Sequence, residues 1–135
     1  MNKLAVICLL LPDGRLVLQR RSKNAPAAPG KLGFFGGHIE KGEKPDAALR
    51  REIKEETSLN PDELKIKFIA DYIIRADKDY PKDRHTYLSQ GLVADLSFEL
   101  FDGDRAEAYS IGDLLTRKDL TVGVRFMVEN LWKEM

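Results

Sequence analysis

The sequence predicts an α/β fold in which a mixed β-sheet is covered by helices. Three observations lead there. Strand-like runs stand on both sides of a central helical segment, a second amphipathic helix closes the chain, and 135 residues with 43% apolar side chains suffice for one compact domain, residues 1–135.

The first strand is LAVICLLL, residues 4–11, an apolar run with the length of a buried strand. Pro12-Asp13-Gly14 turns the chain into RLVLQRR, residues 15–21, a second strand with Arg20 and Arg21 at its exit. Residues 22–31 hold two prolines, a glycine and small residues, fit neither period, and read as loop. LGFFGGHIE, residues 32–40, reads as one short aromatic strand ending in Gly36-Gly37. The helix is predicted from about Pro45 to Thr57. Proline suits its first position, where a missing N–H costs nothing, while Lys44 is a poor cap. Leu49 and Ile53 form its apolar stripe. Two long strands are expected within residues 63–76 and 85–100, linked by DKDYPKDR, a polar loop of a kind that is usually solvated but also closes over ligands. AEAYSIGDLLTRK gives a short strand and a helical turn. Apolar residues at 124, 127, 128, 131 and 132 then mark an amphipathic helix packed on the sheet.

Charge narrows the partners. The 22 basic and 22 acidic residues cancel, which argues against generic nucleic-acid or membrane-surface binding and makes any phosphate chemistry local. No segment approaches the roughly 20 apolar residues of a membrane-spanning helix. The one cysteine, Cys8, cannot form an internal disulfide, and the run around it lacks a signal-peptide cleavage site. A soluble, cytoplasmic monomer or homodimer with no membrane or nucleic-acid partner is expected.

The chemistry is in RREIKEETSL, residues 50–59. Glu52 and Glu56 lie four residues apart on the flank of the apolar stripe, Glu55 is one step further round, and Arg50 and Lys54 face solvent. Repulsion between such carboxylates costs about 0.2–0.5 kcal/mol per pair on an open surface, but about 3 kcal/mol at ~5.5 Å with an effective dielectric of ~20. A raised pKa, a protein cation or a bound metal ion relieves it. Arg51 can serve one carboxylate, not all three. An all-oxygen set suits a hard cation, Mg2+ or Mn2+, rather than zinc, and magnesium takes substrate phosphate oxygens as remaining ligands. Taken alone, EIKEE also fits a solvated helix face. Its setting changes that: Gly36-Gly37 lets the backbone approach a ligand, and Arg20 and Arg21 offer guanidinium forks that match phosphate.

Together these residues resemble the Nudix hydrolase family, whose box reads GX5EX7REUXEEXGU with U a bulky aliphatic. Here the box occupies residues 37–59: Gly37, Glu43, Arg51-Glu52-Ile53, Glu55-Glu56 and Leu59. Ser58 stands where the family has glycine, and a left-handed helix end there would cost serine about 1 kcal/mol. The resemblance implies a Nudix-type α/β/α sandwich, a mixed sheet between helices, and cleavage of a nucleoside diphosphate linked to another moiety with Mg2+ or Mn2+. It implies Glu52, Glu56 and the Gly36 carbonyl as metal ligands, with Glu55 a further ligand or the water-activating base. Arg51 would orient the catalytic glutamates and Glu43 would support them. Arg20 or Arg21 would hold a phosphate, Phe34 would stack on the base, and Asp104 or Glu107 would add a later carboxylate. His38 and His85 receive no role. Residues 62–80 hold no proline and the chain starts directly on its first strand, unlike many relatives acting on ADP-ribose. This directs the expectation to a nucleoside triphosphate, with a nucleotide sugar or ADP-ribose as the enzymatic alternative and a non-catalytic nucleotide sensor as the alternative of another class.

Overall fold

The computed structural model describes residues 1–135, and at its centre is a seven-stranded mixed sheet. Strand β1 (Asn2–Leu10) is its axis. One edge of β1 pairs in parallel with β6 (Arg84–Leu92) along its whole length; the other pairs antiparallel with β4 (Phe35–His38) near its start and with β2 (Leu16–Arg20) near its end. β5 (Lys67–Ile74) pairs antiparallel with β6, while β3 (Leu32–Gly33) and β7 (Arg105–Tyr109) both pair antiparallel with β2. Helix α1 (Pro45–Glu56) covers one face, and α2 (Ile111–Thr116) and α3 (Val122–Asn130) cover the other.

The unbroken apolar run of β1 follows from this layering. Ala5, Ile7 and Leu9 meet Leu49 and Ile53 of α1, whereas Val6 and Cys8 meet Val124, Met127 and Val128 of α3. A strand buried on both faces has no polar side to alternate with. Burial of a side chain such as Ile53 contributes about 1.5–3 kcal/mol and holds α1 in place on the sheet. No helix is long and apolar enough to cross a membrane.

Three local expectations change. Residues 32–40 form two strands, not one, because Leu32-Gly33 pairs with β2 and Phe35–His38 pairs with β1; the chain changes partner at Phe34. The segment 85–100 is strand only to Leu92, after which Phe98 and Leu100 pack irregularly against the core on the α1 side. The helix end carries no left-handed residue at Ser58. Thr57 is extended (φ −142°), its hydroxyl donates to the Ile53 carbonyl (2.8 Å) and accepts from Leu59 N–H (3.1 Å), and Ser58 bonds to Glu99. The cost assigned to serine therefore does not arise.

Candidate active site

The site forms where β4 passes beside α1. Gly36 has φ +122°, and a Cβ there would stand 2.2 Å from the Ala5 carbonyl oxygen, so only glycine lets β4 approach β1 this closely. A Cβ on Gly37 would stand 2.7 Å from the Glu52 carboxyl carbon. Gly37 thus leaves the space that Glu52 occupies.

Arg51 organises the outer side. Its Nε and Nη2 donate to both oxygens of Glu43 (2.8 and 2.9 Å), and Nη2 also donates to the His38 carbonyl (3.0 Å). Nη1 donates to Glu52 (3.0 Å) and Glu55 (3.3 Å). The fork from Arg51, with the Glu40 N–H bond, holds the Glu43 carboxyl down at about 2. Arg51 therefore serves two of the three helix glutamates, where the sequence suggested one. Glu52 and Glu55, the latter 57% exposed, meet on Arg51 Nη1, Glu56 turns inward, and no three acidic, histidine or cysteine side chains close on one point as a ready-made cage.

Glu56 is the unusual group. It is only 8% exposed, it accepts the Gly36 N–H at 2.7 Å, and it pairs with no protein cation. Burial pushes its carboxyl up to about 8; Glu52 and Asp102 add to the rise, while the Gly36 bond and Arg21 oppose it. Burial also raises Glu52, against the pull of Arg51. A buried carboxylate facing further oxygen donors, with Arg21 near it but no cation paired to it directly, fits a hard divalent cation.

Glu52, Glu56, Gly36 and Gly37 line a cleft of about 340 Å³ together with Arg21, Phe34 and Asp102. Arg21 donates to the Ala27 carbonyl through Nε (2.9 Å) and is the arginine that faces the glutamates. Arg20 does not reach the cleft: Glu107 grips it at 2.8 and 2.7 Å and Asp119 at 2.8 Å. That contact removes two expectations at once, Arg20 as a phosphate ligand and Glu107 as the later carboxylate. Asp104 does not line the cleft either; its N–H is bonded to the Arg20 carbonyl. Asp102, from the same stretch of chain, does line the cleft. Its loop is tied to the end of α1 by Phe101 N–H to the Glu56 carbonyl (2.7 Å) and to β2 by the Gln19 amide donating to the Asp102 carbonyl (2.6 Å).

The far wall comes from residues that sequence reasoning left aside. Asp79 and Tyr80 of the DKDYPKDR loop line the cleft, as do His38, Arg84 and Thr86. Lys31 bonds both oxygens of Asp79 (2.7 Å each), and the Tyr80 hydroxyl lies 3.0 Å from His38 Nε2. The loop closes over the cleft rather than standing free in solvent. Its only sequence signal was its length between two strands.

Residues 1–127 match the NUDIX domain family. The chain is 34% identical over 83 residues to the nucleoside triphosphatase NudI of Salmonella paratyphi B, a match spanning 53% of this chain and 59% of that protein. Its fold is similar to the MutT protein of Methanosarcina mazei (TM-score 0.80, 19% identity, 95% of this chain and 90% of that one). It is also similar to the NUDIX domain of Shewanella oneidensis NrtR, solved with ADP ribose (TM-score 0.72, 18% identity, 94% and 83%).

Proposed function

The chain belongs to the Nudix family, and from that premise we propose that it is a pyrophosphohydrolase that uses a divalent cation, Mg2+ or Mn2+, to cleave a nucleoside diphosphate linked to another moiety. The substrate we infer is a nucleoside triphosphate, split to monophosphate and pyrophosphate. One observation carries the reading: a buried, unpaired Glu56 carboxylate faces a cleft that already holds Glu52 and Asp102. The cation would be held by Glu52, Glu56 and the Gly36 carbonyl, where it supplies charge to phosphate oxygens and acidifies a water.

The chain's own residues do the rest. Arg51 fixes the directions of Glu52 and Glu55 and is itself fixed by Glu43. Glu55, hydrated and outside the cleft wall, stands as a further ligand or as the proton acceptor. Arg21 binds a phosphate from the cleft side, and Phe34 offers its ring to the base. Beyond Arg21 and Asp102 lies a polar recess lined by Gln19, Ser22 and Asn24, which gives departing phosphates a place. The name of the curated relative supports a triphosphate.

A panel of nucleoside triphosphates, nucleotide sugars and ADP-ribose, assayed with Mg2+ and with chelator, tests this reading. Cation-dependent release of pyrophosphate is the expected result; tight binding with no turnover of any member would make the domain a sensor. Within the site, Asp102→Asn is expected to lower kcat/KM by roughly 10–100-fold, as for a residue supporting a metal centre, while Asp104→Asn stays near wild type. Equal effects of the two would remove Asp102 from the site.

A further inference from the structure

We propose that Arg84 reads the nucleobase, so that the cleft selects bases carrying a ring carbonyl (guanine, cytosine, uracil, thymine) over adenine. This rests on the reading of the cleft as a nucleotide site and names which nucleotides it takes.

Sheet register sets the distance. Leu4 of β1 is flanked by His38 of β4 and by Thr86 of β6, and Arg84 stands two residues before Thr86 on the same face. From the glycine pair of β4 to β6 is two strand spacings, roughly 10 Å, and Arg84, level with Asn2, lies three to four residues further along, so the backbones are roughly 15 Å apart on the diagonal. A nucleoside triphosphate with its outer phosphates at Glu52, Glu56 and Arg21 spans such a distance, and in our proposal its base points along the cleft towards Arg84 and Thr86. Both are buried, at 7% and 3% exposure, and both line the cleft.

The guanidinium is held before any ligand arrives. Nη2 donates to Asp77 Oδ2 (3.1 Å), Nη1 reaches the Lys82 carbonyl (3.5 Å), and the group lies over the Tyr80 ring, 4.8 Å from its centroid. Tyr80 is fixed in turn by Asn2, whose amide donates to its hydroxyl (3.0 Å), and by His38. Asp77 is fixed by the N–H groups of Asp79 and Tyr80 (2.7 and 3.0 Å). A fork locked this way loses little freedom on binding.

Charge decides between base and phosphate at this end. Arg84 is matched by Asp77 and Lys31 by Asp79, so this part of the cleft has no surplus cation to offer a phosphate. Arg21 is held by a backbone carbonyl instead and keeps its charge for the phosphates. The guanidinium has five N–H groups, so beyond those directed at Asp77 and Lys82 Arg84 still offers coplanar donors and no acceptor. O6/N7 of guanine or O2/N3 of cytosine accepts from both arms of such a fork, and a carbonyl of uracil or thymine, whose neighbouring N3 carries a hydrogen, accepts from one arm, whereas adenine has no ring carbonyl and sets its N6 donors beside N7 against it. Tyr80, beneath the guanidinium, and Phe34, further along, both line the same cleft.

The test measures kcat/KM for GTP, CTP, UTP and ATP, and calorimetric binding of GMP, CMP, AMP and orthophosphate, with wild-type protein and Arg84→Lys. Lysine keeps the charge opposite Asp77 and loses the fork. Wild type is expected to disfavour ATP by roughly 10–100-fold, mainly through KM because the base lies away from the reacting bond, and Arg84→Lys to level the series. ATP turned over as well as the others by wild type, or a preference unchanged in Arg84→Lys, overturns the proposal. So does orthophosphate binding that falls as much as GMP binding in the variant. If no nucleotide is cleaved but GMP and CMP bind more tightly than AMP through Arg84, hydrolysis fails while base selection stands; if none binds, both fail.

Discussion

Glu56→Gln is expected to lower kcat by roughly 10²–10⁴-fold with the fold retained. The amide has the same shape, and its oxygen still accepts the Gly36 N–H that Glu56 accepts at 2.7 Å, so β4 and α1 keep their contact. What disappears is the negative charge, and a neutral oxygen in a buried position is a poor ligand for a hard cation. Glu55→Gln, at a position exposed beside Arg51, leaves the buried ligands in place and separates loss of the cation from loss of a base. Steady-state kinetics with circular dichroism as the folding control checks this; a kcat for Glu56→Gln within about threefold of wild type contradicts it.

The second large effect is on stability without cation. Glu56 has an ordinary carboxyl value of 4.5 and is raised by burial to about 8 in the folded chain. Between those values the folded state holds a proton that the unfolded state has released. Its contribution is therefore fully present below about pH 4.5 and is lost as pH rises through about 8, with an upper bound of about 5 kcal/mol from 1.36 kcal/mol per unit. Glu52 is shifted in the same direction. The depressed carboxyls of Glu43, Glu107 and Asp119 have the opposite sign and act below about pH 4.5, outside this window. Denaturant unfolding with chelator should show stability falling from pH 5 to 8 in wild type and a much flatter profile in Glu56→Gln, which should be the more stable protein at pH 8. Added Mg2+ should restore the wild type most at high pH, because binding requires the ionised carboxylate. A wild-type profile that rises over the same range would refute the burial argument.

The layers and the glutamate helix were legible in the sequence because both depend on local period. Leu49 and Ile53 set the buried stripe of α1 and thereby the direction of Glu52 and Glu56, and the unbroken run of β1 announced a strand covered on both faces. Arg20 and Asp102 were not legible, since each is placed by partners about 80 to 100 residues away in the chain. Arg20 is drawn off by Glu107 and Asp119, a consequence of β2 lying beside β7, and nothing near Arg20 in sequence distinguishes it from Arg21. Asp102 owes its place to Gln19, a buried polar residue within an apolar strand, and to Gly103, whose absent Cβ would stand 2.5 Å from the Gln19 amide nitrogen. A lone glutamine in such a run was the available signal. The Arg84 wall depends in the same way on parallel pairing of β1 with β6, which no local pattern encodes.

Titration of the chelated protein with Mn2+, followed by electron paramagnetic resonance in the presence of a non-hydrolysable nucleoside triphosphate analogue, tests the central claim most directly. The account predicts saturable uptake by wild type that is abolished in Glu56→Gln and strongly weakened in Glu52→Gln. Uptake of equal strength in both variants, or none in the folded wild-type protein, would contradict it.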